Sequence, residues 1–340
     1  MGVTIEPVSS PSGASAVDRD EDGVGRQEGE DGWGHLPRSG DRSSEASSPA
    51  DSTASAREQV ESLGKNIYEA GLTTLGRLGR TTANMVVTAK DKLTPVMEAE
   101  QADGTTSKID RQELKKPFKT LFEEFSGLEA METLQLASTQ ASIKVKSSLK
   151  SLNPKQLAAK QSDLKQVGKT LLSVDEQYCE NVKDEWTRLN GESLFAREEL
   201  EFAKKLVKGI TECISTVDGL EGSLEKVASQ VNSPLPVDTP TLAIYLARYN
   251  LAKVLAASLF LMQSISFPTV DEEQVAGLAR LSFGSLKRVL ASCKEGLPVE
   301  GKRKEAVISV LEHDLGEALS MLRDIVPALQ PRLKLAKLNN

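Results

Sequence analysis

Two histidines, three cysteines and a dispersed set of carboxylates are the side chains that could do chemistry here, and their spacing gathers them into no reactive grouping. His35 lies among glycine and acidic residues, and His313 stands beside Asp314 in VLEHDLGEAL with no cysteine, serine or metal ligand at motif spacing. An imidazole exposed on a helix is therefore the reading of His313, ahead of a general base. Cys179, Cys213 and Cys293 are far apart and show no CxxC spacing, which argues against zinc. Glu123 and Glu124 are adjacent, so on a helix they point in different directions and cannot converge on one substrate. Gly71 and Gly76 have the outer spacing of a phosphate-binding loop, but Arg77 and Leu78 stand where that loop needs Lys and Ser or Thr, and no strand precedes them. The expectation is a non-enzymatic protein with no catalytic residues, no cofactor and no metal.

The elements that would hold these residues are helices. Leu, Ala, Lys, Glu and Ser dominate while aromatics make up only 4%, a composition that favours helix over sheet and leaves little or no strand. The fold class expected is all-α: an elongated helical bundle with an N-terminal disordered tail and a separate amphipathic helix. The pattern divides the chain into an acidic tail over 1–57, an amphipathic helix over 58–98 and a linker over 99–109. A central helical region follows over 110–233, then a proline-rich linker at 234–240, a three-helix region over 241–330 and a second tail over 331–340.

Charge follows the same division. Residues 1–56 hold eleven Asp and Glu against four Lys and Arg, the whole of the net charge of −7, so the remainder is neutral in sum. With no basic cluster interleaved with aromatics, nucleic acid is not an expected partner. Unpaired cysteines and the lack of an apolar N-terminal segment point to a reducing, cytoplasmic location. Glu6 stands where a myristoylation pattern wants Ser or Thr, and LAKLNN carries no prenylation signal.

The tail is rich in Ser, Gly, Pro and acidic residues and cannot bury enough apolar surface to offset the entropy of ordering. Its single aromatic, Trp33, is a candidate short linear motif for a partner's pocket. From Arg57 the pattern changes. Plotted at about 100° per residue, Ile67, Gly71, Leu75, Leu78, Thr82, Met85, Val86, Ala89 and Leu93 share one sector. Lys65, Arg77, Arg80, Lys90 and Lys92 lie outside it, opposed from Lys65 to Leu93 only by Glu69 and Asp91. Such a helix suits a lipid interface, with Ile67, Leu75, Leu78, Met85, Val86 and Leu93 entering the acyl boundary and Arg77, Arg80 and Lys90 meeting anionic headgroups. The same sector would equally serve to pack on the rest of the protein.

Phe118 to Leu152 is the densest apolar segment, with Leu121, Phe122, Phe125, Leu128, Met131 and Leu134 recurring at helical spacing and Gly127 marking a break or a close backbone approach. Pro117 kinks or restarts the helix there. Asn153 and Pro154 form a helix start, and Asn190 with Gly191 a turn. Thr269 with Glu272 predicts a capping box for a helix over Val270–Cys293. Leu242 to Ile265 is strongly apolar, but Arg248, Asn250 and Lys253 interrupt it, so it reads as a buried helix and not as a membrane span.

LFEEFSGLEAMETL followed by IKVKSSLKSL resembles the signature of the family with sequence similarity 114. The matching positions are Leu121, Phe122, Glu123, Glu124, Phe125, Gly127, Leu128, Glu129, Leu134, Lys144, Val145, Leu149 and Leu152. A second block is similar at Gly71, Leu72, Leu75, Gly79, Arg80, Thr82 and Asn84, and the family's Gly-Trp pattern is matched at Gly32, Trp33 and Gly34. The resemblance implies a peripheral adaptor on the cytoplasmic face of Golgi membranes. Its implied partners are membrane lipids, a GTP-loaded Rab-type GTPase, and vesicle coat or Golgi cargo-sorting proteins, with a role in vesicle recycling of Golgi proteins. Two other readings of the residues are a solvated stress-protective helical protein, suggested by TAKDKL, and a soluble helical scaffold without a membrane role. Against the stress-protective reading stand the absence of a repeated period and the core around Phe122 and Phe125.

Overall fold

A computed structural model describes residues 108–172, 174, 181–234 and 236–339. The all-α expectation holds: strand among the described residues is limited to a parallel pairing of Ile109–Asp110 with Val231–Asn232. That pairing ties the start of the described residues to the end of a helix more than a hundred residues on.

Pro117 is extended (φ −68°, ψ 157°) and frees the chain to start α1, Phe118–Glu124. Ser126 is left-handed at φ 55°, which ends that helix, and α2, Gly127–Ser151, begins at once. Gly127 is both the break and the close approach, because a Cβ there would lie 2.0 Å from Cε2 of Phe122. The Asn153 start signal is realised in full before α3, Pro154–Leu172. The Gln156 N–H donates to Asn153 Oδ1 at 2.9 Å, and the Asn153 N–H donates to Gln156 Oε1 at 3.2 Å, so two orphan donors are satisfied reciprocally.

Helix α4, Val182–Arg188, is capped by Asn181, and Asn190 turns the chain at φ 50° into a 3-10 turn, Gly191–Leu194. Helices α5, Arg197–Asp218, and α6, Leu220–Gln230, follow. Then comes α7, Thr239–Gln263, in which every residue from Asn250 to Gln263 is buried. It is long and apolar enough to cross a membrane, yet 83% of its most apolar window is covered by the protein itself. Helices α1, α2, α5, α6, α8 and α9 all pack against it.

The capping box expected at Thr269 is corrected: α8 runs Glu272–Gly296, and the box is Asp271 with Gln274. Val270 is buried and extended, which anchors the chain one step before the helix can start, so the cap falls to the next polar residue. Thr269 closes a short 3-10 turn, Phe267–Thr269. After α9, Gly301–Ile325, and a 3-10 turn at Val326–Leu329, the expected tail over 331–340 is corrected to α10, Gln330–Asn339, with Leu333 buried. Nor do the prolines at 234–240 separate one folded body from another, since helices on both sides contribute to one hydrophobic core.

Candidate functional site

The signature segment is assembled from its aromatic residues upward. Phe118 and Phe122 stack with centroids 6.1 Å apart, and Phe125 meets the Tyr249 ring edge-on at 5.1 Å. The second contact ties the end of α1 to the middle of α7. Phe122 is 0% exposed, Phe125 and Val145 are buried, Gly127 admits the Phe122 ring, and Leu128 is half-buried against the core. Of the thirteen positions that carry the resemblance, Glu123, Glu124 and Lys144 are exposed. Phe122, Phe125, Gly127, Leu128 and Val145 therefore build the platform, and Glu123, Glu124 and Lys144 stand on its surface.

The three polar interruptions of α7 each have a place inside. Arg248 Nε donates to Asp314 Oδ2 at 2.7 Å, joining α7 to α9 where the carboxylate side chain is 5% exposed. Asn250 donates its amide to the Leu246 carbonyl at 2.7 Å, and Lys253 is buried with its ammonium 5.9 Å from the Tyr249 ring centre. The spacing of Leu311, Asp314, Leu315 and Ala318 places one carboxylate on the apolar face of α9, a signal that Asp314 must find a cation. His313 faces solvent on the other side, 3.9 Å from Glu317.

Cys213 and Cys293 are buried cysteines outside any disulfide. Burial first, and then the negative charge of Asp218, push the Cys293 thiol up to about 12. Asp218 itself accepts from Arg288 Nη2 at 3.1 Å and from the Ser292 hydroxyl. Among the described residues no three His, Cys, Asp or Glu side chains are grouped as a metal site.

An open groove of about 390 Å³ runs between α3 and α10, lined by Gln161, Leu164, Lys165, Lys169, Gln330 and Lys334 over Gly168. A Cβ at Gly168 would stand 2.4 Å from Gln330 Nε2, so the glycine leaves room for the end of that side chain. Nothing in the local spacing of either helix reveals this groove, because its walls are more than 150 residues apart in the sequence. The residues assigned to lipid contact, Ile67, Leu75, Leu78, Met85, Val86, Leu93, Arg77, Arg80 and Lys90, lie outside the described residues, as do Trp33 and Cys179. No protein-family model matches the chain, and no solved structure matches it.

Proposed function

We propose that this chain is a non-enzymatic peripheral adaptor of Golgi membranes that binds a GTP-loaded Rab-type GTPase and serves vesicle recycling of Golgi proteins. The observation that carries the reading is the residue-by-residue resemblance across 121–152. It is supported by the amphipathic sector of 58–98, which would supply the lipid contact, and by the α1–α2 pair braced on α7, a rigid helical platform of the kind that presents a face to a partner. Weak lipid binding and weak protein binding multiply when both act on one tethered molecule, so each signal alone would be insufficient for stable residence.

The test is a pull-down of the purified full chain against a panel of Rab proteins, each locked in the GTP or the GDP form. Selective retention by one GTP form is expected. Retention by none, or equal retention of both nucleotide forms, would overturn the GTPase role.

A further inference from the structure

Residues 133–172 and 330–340 together hold ten basic side chains and a single acidic one, Asp163. These segments are most of α2, all of α3 and all of α10, and α10 packs against both of the other helices. The fold thus gathers into one corner a charge that the sequence spreads over two distant stretches, and since residues 57–340 are neutral in sum, the rest of that span is acidic. Three of the ten are engaged within the fold. Lys160 donates to the carbonyls of Lys337 and Leu338 at 3.1 and 2.9 Å, Lys337 pairs with Glu272 at 2.7 Å, and Arg332 lies over the Phe267 ring at 4.1 Å. The others are lysines, and Lys144, Lys146, Lys150, Lys155, Lys165 and Lys169 are exposed.

The large apolar side chains that stand exposed among the described residues are in the same corner: Ile143 at 44% and Leu157 at 38%. On α2, Thr139, Ile143, Lys146, Ser147 and Lys150 recur at helical spacing and all are exposed, opposite buried Leu134, Ala141 and Val145. Ile143 therefore points straight away from the core with lysines of its own stripe beside it. On α3, Leu157 prolongs the stripe of Leu164, Val167 and Leu171 beyond Lys160, the residue that holds the end of α10.

We propose that the corner formed by α2, α3 and α10 docks on an anionic phospholipid surface, with the lysines over the headgroups and Ile143 and Leu157 entering the interface. Lysine with isolated branched aliphatics suits a diffuse sheet of negative charge. Protein interfaces favour Arg, Tyr and Trp and are depleted of Lys, and single-stranded nucleic acid needs stacking rings. Neither 133–172 nor 330–340 contains an aromatic residue, and their one arginine is tied to Phe267.

The inference rests on the membrane half of the proposed function but not on the 58–98 helix, and the test separates the two. The full chain carrying Leu75→Glu and Leu78→Glu is sedimented with vesicles of phosphatidylcholine, with and without phosphatidylserine. Binding that depends on phosphatidylserine is expected to persist and to weaken roughly tenfold or more when Lys146→Glu, Lys150→Glu and Lys155→Glu are added. Ile143→Ser with Leu157→Ser should weaken it as well, with an unchanged melting curve in each variant. If the helix-defective chain no longer binds, the corner is not a lipid site and the 58–98 reading stands; if it binds but the lysine reversals leave binding unaltered, the corner is not the lipid site and neither are Leu75 and Leu78. If the parent chain binds no vesicle, both readings fall. Capture by an acidic protein with no vesicle binding would likewise overturn the lipid assignment.

Discussion

At Gly127 the space for a side chain is set by the Phe122 ring, which is 0% exposed and hemmed in by Phe118. Gly127→Ala should therefore cost about 1–3 kcal/mol in urea unfolding, despite the better helix propensity of Ala. Phe122→Ala removes the ring and should cost roughly 3 kcal/mol or more. The pair combined should lose less than the two costs added, because the methyl then has room; strict additivity would show that the clash is relieved elsewhere. The Arg248–Asp314 pair is uneven, its side chains being 20% and 5% exposed. Arg248→Ala strands the more buried charge and should cost about 3 kcal/mol, more than Asp314→Ala, which leaves a guanidinium able to reach water. Equal losses would mean that water reaches both. Cys293, with its thiol pushed up to about 12, should resist iodoacetamide at neutral pH until the chain unfolds, as mass spectrometry of the labelled peptide can show.

Among the elements, α10 shows where the sequence can and cannot be read. Helix starts carried by adjacent residues are legible: Asn153 and Pro154 are themselves the cap and the first turn, and the Leu242–Ile265 run announces a buried helix. What holds α10 is remote. Arg332 reaches the Gln263 carbonyl at 3.4 and 3.5 Å, Lys337 pairs with Glu272, and Lys160 caps the last carbonyls. With Leu333 the fully buried side chain in ten residues, local periodicity reads as a tail. The lysine corner is hidden from the sequence for the same reason, since a neutral sum conceals charge that packing brings together. Burial by itself would raise the Glu272 carboxyl, but the hydrogen bond from Lys337, backbone hydrogen bonding and the Lys337 charge outweigh it and hold the group below its ordinary value of 4.5. A lowered carboxyl stabilises the fold above the unfolded pKa, and that contribution is lost as pH falls through the lowered value. Hydrogen exchange over 330–339 should accordingly quicken below about pH 4 relative to the rest of the chain. Glu272→Gln should remove that pH dependence while costing under about 1 kcal/mol, because both partners are partly exposed. Exchange in the variant that still quickens in acid would place the anchor in another pair.

For the whole described region, the question is whether the prolines at 234–240 mark a seam. Composition suggests so, because three prolines within nine residues end any helix that reaches them. The packing decides otherwise: α7 lies C-terminal to the prolines, yet its buried face is covered by α1, α2, α5 and α6 from the other side as well as by α8 and α9. Stripping α7 from either set would expose a continuous apolar face, including Leu251, Leu255, Leu259 and Met262, each 0% exposed, and each buried side chain of this kind is worth roughly 1.5–3 kcal/mol. Neither half keeps the core intact without the other. Although the region exceeds the size at which two-state behaviour is usual, it should unfold in one step. Trp186 supplies the probe on the N-terminal side, since it is 9% exposed and stacked on Phe195 at 5.7 Å, while Trp33 lies in the acidic tail. In a Trp33→Phe background, urea curves followed by Trp186 fluorescence and by far-ultraviolet circular dichroism should coincide. Limited proteolysis between 233 and 238 should yield fragments that stay associated until denatured. Two separated transitions, or a 241–339 fragment that keeps its helical signal alone, would show that the proline stretch divides two domains after all.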